Sequence, residues 1–111
     1  MDEGAAAFTR GEFYEAHESW EEVWNEIDDP ERAWVQGMIQ IATGLHKLSR
    51  GRPDVCRTLL AKALAKLDGA PPILDGWDVA EMVRGATRLL RAIEQEERPL
   101  PSPRAVTLRR A

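Results

Sequence analysis

The sequence predicts an all-α fold, a compact bundle of about four helices built on an antiparallel helical hairpin. Three observations carry this. Apolar residues recur at the helical period in four separate segments. Pro and Gly signals punctuate the chain between those segments. No alternating apolar/polar stretch is long enough to make a strand.

The first predicted helix runs from about Gly11 to Asp28. Phe13, Trp20, Trp24 and Ile27 line one stripe, extended by Ala16 and Val23, while Glu15, Glu22 and Glu26 fall on the opposite side. Asp28-Asp29-Pro30 stops this helix and caps the next. The second helix begins near Pro30, with Glu31 well placed in its first turn, and ends at Ser49 or Arg50 before Gly51. Trp34, Met38, Ile41, Leu45 and Leu48 cover one side, and Val35, Ile39 and Ala42 widen the apolar arc towards His46. The remaining polar band of Gln36, Gln40, Thr43 and Lys47 is narrow, so this helix is expected to be the central one. Gly37 and Gly44 share a face. Each costs roughly 1 kcal/mol against alanine inside a helix, which close approach of another helix would offset.

The third helix opens with Pro53 at its first position and closes at Asp68-Gly69, with Leu60, Leu64 and Leu67 as its stripe. Residues 70–77 form a Pro/Gly loop. The fourth helix takes Asp78 as its N-cap and runs to about Glu97, burying Val79, Met82, Ala86, Leu89 and Ile93. Residues 1–97 are thus expected to form a single helical domain. Residues 98–111 form a Pro/Arg-rich tail of polyproline-II character, either anchored on the bundle through Leu100 or Val106 or mobile.

Composition excludes several function classes. The 111 residues are 43% hydrophobic and 31% charged, enough for one globular core. No apolar run approaches the roughly 20 residues that span a bilayer, and Met1-Asp2-Glu3-Gly4 is acidic where a signal peptide is basic. A cytoplasmic protein without membrane contact is expected. The single cysteine, Cys56, shares a face with Leu60 and Ala63, so it reads as a buried hydrophobe and excludes an intramolecular disulfide.

Net charge is −4, unevenly spread. Residues 1–31 hold eleven of the nineteen acids and one of the fifteen bases, leaving a basic remainder. The plain reading is a set of solvated helix faces. The sharper one is an acidic surface that selects a basic protein partner, or a basic tail that finds an anionic one. Nucleic-acid binding is not expected, since the chain is acidic overall and Arg84, Arg88 and Arg91 oppose the core stripe of their helix. There is no Gly-rich phosphate loop and no nucleophile elbow.

The main chemical candidate is His17, inside the apolar stripe of the first helix, with Glu21 one turn later and His46 from the second helix. Polar groups set against an apolar stripe need partners, because burying them unpaired costs roughly 1–3 kcal/mol. The leading reading is a structural anchor in which Glu21 orients His17 or bonds Tyr14 or an indole. No cofactor is then expected. The alternatives are a small anion or metabolite site and a divalent metal site, zinc or iron, on His17, Glu21 and His46 in a small metal-dependent enzyme, hydrolytic by that chemistry. The four tryptophans, Trp20, Trp24, Trp34 and Trp77, read mainly as core, with indole N–H groups seeking acceptors such as Glu21, Gln36 or Gln40. Trp77, in the loop, is also a candidate lid or plug. The apolar central helix and its glycines leave room for a homodimer.

The run Phe8-x-x-Gly11-x-Phe13-Tyr14-Glu15-Ala16-His17-Glu18-x-x-Glu21-x-x-Trp24 resembles the signature of a family of small helical proteins, domain of unknown function 309. The resemblance continues through Gln36-Gly37-x-Ile39-Gln40-x-Ala42 and His46-x-x-x-Arg50-Gly51, covering roughly residues 8–67. It implies a compact all-α bundle. The family pattern carries over to His17, Glu18, Glu21, Trp24, Gln36, Gln40, His46, Arg50 and Gly51, and no activity comes with it. The chain departs from the pattern at Arg52, where asparagine commonly follows Arg-Gly. A turn or ligand contact made by that asparagine would be altered here.

Overall fold

The computed structural model describes residues 1–111. Its elements in chain order are α1 (Asp2–Thr9), α2 (Phe13–Trp24), α3 (Glu31–Ser49), α4 (Pro53–Leu67), strands β1 (Ile73–Leu74) and β2 (Trp77–Asp78), α5 (Val79–Glu94) and a 3-10 turn at Pro103–Ala105. The fold is mainly all-α, but with five helices rather than about four. No helix is long and apolar enough to cross a membrane.

The additional helix is α1, and its end explains why the first predicted helix was drawn too long. Gly11 has φ +79°, a left-handed conformation open to glycine at little cost. The Glu12 N–H bonds the Ala7 carbonyl and the Gly11 N–H bonds that of Phe8, satisfying the last carbonyls of α1. Gly11 therefore terminates α1 instead of opening α2. At the other end, α2 stops at Trp24, short of Asp28. No side chain caps α3, so the expected capping role of Asp28-Asp29 is not found.

Helix α3 is the central element, as its wide apolar arc requires. Val35, Met38, Ile39, Ile41, Ala42 and Leu45 are all buried, with α2 on one flank and α4 on the other. The α2–α3 pair is antiparallel. Tyr14, at the start of α2, stacks near His46 at the end of α3, while Trp24, at the end of α2, carries the Arg32 guanidinium 3.7 Å over its ring. The α3–α4 pair is antiparallel as well, with Gly37 facing Ala63 and Leu67, and Gly44 facing Cys56 and Leu59. A Cβ at Gly37 would lie 2.7 Å from the Leu67 Cγ and 3.1 Å from the Ala63 carbonyl oxygen, so glycine is what permits this approach. The glycine face of α3 is thus covered by α4 of the same chain.

Helix α1 closes the hairpin from the far side of α2. Phe8 stacks on Trp20, ring centroids 5.8 Å apart, and meets Phe13 edge-on at 5.1 Å. The fully buried Trp20 donates its indole N–H to the Met1 carbonyl, 3.2 Å away. A side chain at Gly4 would overlap that indole.

The expected loop at 70–77 contains a two-residue antiparallel hairpin. Asp75 (φ 51°) and Gly76 (φ 83°) form its turn, as an Asp-Gly pair with two positive φ values favours. Asp78 then caps α5, accepting from the Glu81 N–H at 3.0 Å.

Residues 98–111 pack onto the rest of the core. Val106 and Leu108 are buried and Leu100 is half-buried. Val106 passes so close to α5 that a Cβ at Gly85 would stand 3.2 Å from its Cα. The segment ends against the hairpin, where Trp77 pairs with Arg110. There the Trp77 indole N–H donates to Asp2 Oδ1 at 2.9 Å, and Arg110 reaches Asp2 Oδ2 at 2.9 Å while lying 4.6 Å over the Trp77 ring. Trp77 is neither lid nor loose plug: it is buried, and its donor joins the first turn of α1 to the end of the chain.

Two predictions follow from this packing. Gly37→Ala overpacks the α3–α4 contact and should lower stability by about 1–3 kcal/mol. At Gly44 the nearest atom to a new Cβ is 3.4 Å away, so Gly44→Ala should be neutral or stabilising by up to roughly 1 kcal/mol. Chemical denaturation of the two variants separates them. The second prediction concerns Asp2, whose carboxyl is held below its ordinary value of 3.8, first by the Trp77 hydrogen bond and then by Arg110. Its contribution is present above the unfolded value and is lost as pH falls through the lower folded one. In thermal melts, Asp2→Asn should show a smaller loss of Tm than wild type on acidification below about pH 4.

Candidate functional site

The groups able to do chemistry meet along the seam between α2 and α3. His17 and Glu21 lie one turn apart on α2, and His17 Nε2 stands 2.6 Å from Glu21 Oε1. The other ring nitrogen, Nδ1, donates to the Tyr14 carbonyl oxygen at 3.1 Å. That assignment follows from chemistry, because a carbonyl oxygen only accepts. Both nitrogens of His17 therefore face a partner within α2. The pair sits at the rim of the core: the side chains are 19% exposed for His17 and 53% for Glu21.

The Tyr14 ring neighbours both imidazoles, 5.2 Å from that of His17 and 5.4 Å from that of His46. These three residues, with Thr43 and Lys47, line a small groove of about 200 Å³. The antiparallel hairpin thus brings His46 to the same groove as His17, with Tyr14 beside both. No group of three or more His, Cys, Asp or Glu side chains is arranged to hold a metal ion. The 2.6 Å contact also leaves no gap for an ion between His17 and Glu21, since zinc bonds of about 2.0–2.2 Å set tetrahedral ligands roughly 3.3 Å apart.

The other sequence-predicted residues are more dispersed over α2 and α3. Trp24 lies at the far end of the seam under Arg32. Gln36 and Gln40 are half-buried on α3. Glu18 is exposed on the outer face of α2, and Arg50 is exposed at the C-cap of α3, its backbone N–H bonding the His46 carbonyl at 3.2 Å. None of the expected indole acceptors is used. Trp20 bonds the Met1 carbonyl, Trp77 bonds Asp2, and the buried Trp24 Nε1 has no partner. Gln40 Oε1 is likewise buried and unpaired, so the seam carries two polar atoms whose desolvation is uncompensated within the chain.

Tyr14, Thr43 and Lys47 stand outside the sequence-predicted site. Thr43 and Lys47 belong to the narrow polar band of α3, and that band was their only signal. Thr43 spends its hydroxyl on the Ile39 carbonyl, 2.9 Å away. Cys56 is fully buried, and burial pushes its thiol up to about 12, so it stays protonated and unreactive at neutral pH.

Comparison with known proteins gives a family and no activity. An uncharacterized protein of Aquifex aeolicus (strain VF5) is 30% identical over 83 residues, which cover 74% of this chain and 25% of that protein. The chain thus matches about a quarter of the length of that relative. No solved structure matches. Residues 1–59 match the family model described as a domain of unknown function, DUF309. The matched segment runs from α1 into α4, so it holds the whole His17–Tyr14–His46 arrangement as well as the helix that the sequence resemblance begins too late to include. The chain belongs to the DUF309 family.

Proposed function

We propose that this protein is a non-catalytic interaction module of the cytoplasm, in which His17 and Glu21 anchor the α2–α3 seam and the acidic outer face of α2 meets a basic partner. The observation that carries this reading is the double engagement of His17. With Nδ1 on the Tyr14 carbonyl and Nε2 against Glu21, each ring nitrogen already faces a group of its own helix, and neither stands open to a metal or a substrate. A histidine held this way fixes the first turns of α2 against its own backbone. It supports packing more directly than it supports turnover.

The alternative is a metal-dependent hydrolase on His17, Glu21 and His46. A carbonyl-bound Nδ1–H is a common support for a metal-binding imidazole, so the orientation of His17 suits that role too. Glu21 would then have to leave its 2.6 Å contact with Nε2 to make room for the ion.

The test is the metal content of untagged protein, wild type beside His17→Ala, with circular dichroism confirming that both are folded. The anchor reading expects no stoichiometric metal in either and a lower melting temperature for the variant. Glu21→Gln should cost about 0.5–1 kcal/mol, as loss of one half-exposed charge-assisted contact does. A stoichiometric metal that disappears with His17 would replace this reading with the hydrolase.

A further inference from the structure

The charge imbalance of the sequence becomes a spatial one in the fold. Helix α2 packs on α1 and α3, and α5 packs on α4, so α3 and α4 lie between the acidic and the basic helix. On α2, Glu15, Glu18 and Glu22 are all exposed. At about 100° per residue they fall within an arc of about 60°. On α5, Arg84, Arg88 and Arg91 are exposed and occupy an arc of the same width.

None of these six side chains has a partner in its own chain. The ion pairs join Arg10 to Glu12, His17 to Glu21, Arg52 to Asp54, Arg109 to Glu81, and Arg110 to Asp2. The other acids near the α5 face do not neutralise it. Glu81 is held by Arg109 and Thr107, Glu94 projects outside the arginine arc, and Glu97 lines a groove beside Arg88 and Arg91 without pairing to either.

The two stripes also match in spacing. Glu22, Glu18 and Glu15 are separated by four and then three residues, as are Arg84, Arg88 and Arg91. Two antiparallel helices would bring these pairs level at successive rises of about 6 Å and 4.5 Å. We propose that the acidic face of α2 docks on the arginine face of α5 in a second copy of this chain, Glu22 against Arg84, Glu18 against Arg88 and Glu15 against Arg91. The proposal rests on the reading of α2 as an interaction face and names the basic surface that it meets.

The contact joins unlike faces, so it propagates head to tail, as an open series or a closed ring. Exposed ion pairs are individually weak. The association is therefore weak and falls steeply with salt, because the Debye length shrinks from about 10 Å at 0.1 M to about 3 Å at 1 M.

Sedimentation velocity over a range of protein concentrations tests it, at low salt and at about 0.5 M salt, on the wild type, Glu18→Arg, Arg88→Glu and the double charge swap. Circular dichroism checks that each is folded. The expected result is self-association of the wild type at low salt that is lost at high salt. Each single variant should weaken it about ten-fold or more, and the double swap should restore it. A wild type that stays monomeric at low salt overturns the proposal, as do single variants that associate like wild type or a double swap that fails to recover. Retention on an immobilised oligo-lysine peptide, compared between wild type and Glu18→Arg, separates the two levels of inference. A monomeric wild type that still binds the peptide through Glu18 loses the self-pairing but keeps the acidic interaction face. One that does neither loses both.

Discussion

The approach of α4 to α3 at Gly37 is the contact on which the rest of the structure depends. It seats α4 against one flank of α3, where Ala63 and Leu67 occupy the space that a side chain would fill. The other flank is left to α2, and the long apolar arc of α3 is then covered from both sides. The level of α2 along α3 follows, with Tyr14 near His46 at one end and Trp24 under Arg32 at the other. The candidate site is a by-product of that register. His17 and Glu21 would be neighbours on any α-helix, but their meeting with His46 and the polar band of α3 requires the hairpin.

The site that results combines polar groups with little enclosed space. Its groove is small, a tyrosine ring packs beside both imidazoles, and its carboxylate is half-exposed. Electrostatic catalysis gains most where water is excluded and dipoles are fixed around a developing charge. The seam has fixed groups, but the one carboxylate beside the imidazole is already its hydrogen-bond partner. Its two orphaned atoms, Trp24 Nε1 and Gln40 Oε1, are a donor and an acceptor buried with no bond within the chain. Ordered water is the ordinary way to satisfy such groups.

How much of this was legible in the sequence differs by element. The wide apolar arc of α3 identified the central helix, and Pro53 and Asp78 marked the starts of α4 and α5, because these signals are local. Helix α1 was not legible. Its eight residues include three alanines and one large apolar side chain, Phe8, too little for a periodic stripe, and the left-handed Gly11 that ends it looks the same in sequence as a glycine that opens a helix. The hairpin was announced only by Asp75-Gly76, since two-residue strands are too short to show alternation. In the tail, Val106 was a named anchor while Leu108 was not, because nothing local distinguishes a leucine that docks from one that is free. Within the site, the four-residue spacing gave the His17–Glu21 pair. The place of Tyr14 beside both imidazoles could not be read, because it depends on how far α2 slides along α3, which no short-range pattern encodes.

The central claim is that His17 is a structural anchor with both ring nitrogens occupied. Heteronuclear NMR of the His17 imidazole, recorded with and without added zinc, tests it most directly. The account predicts an exchange-protected Nδ1–H, an Nε2 signal that responds to Glu21→Gln, and no change when zinc is added. An Nε2 that carries a free lone pair, and whose resonance shifts at stoichiometric zinc together with that of His46, would contradict it.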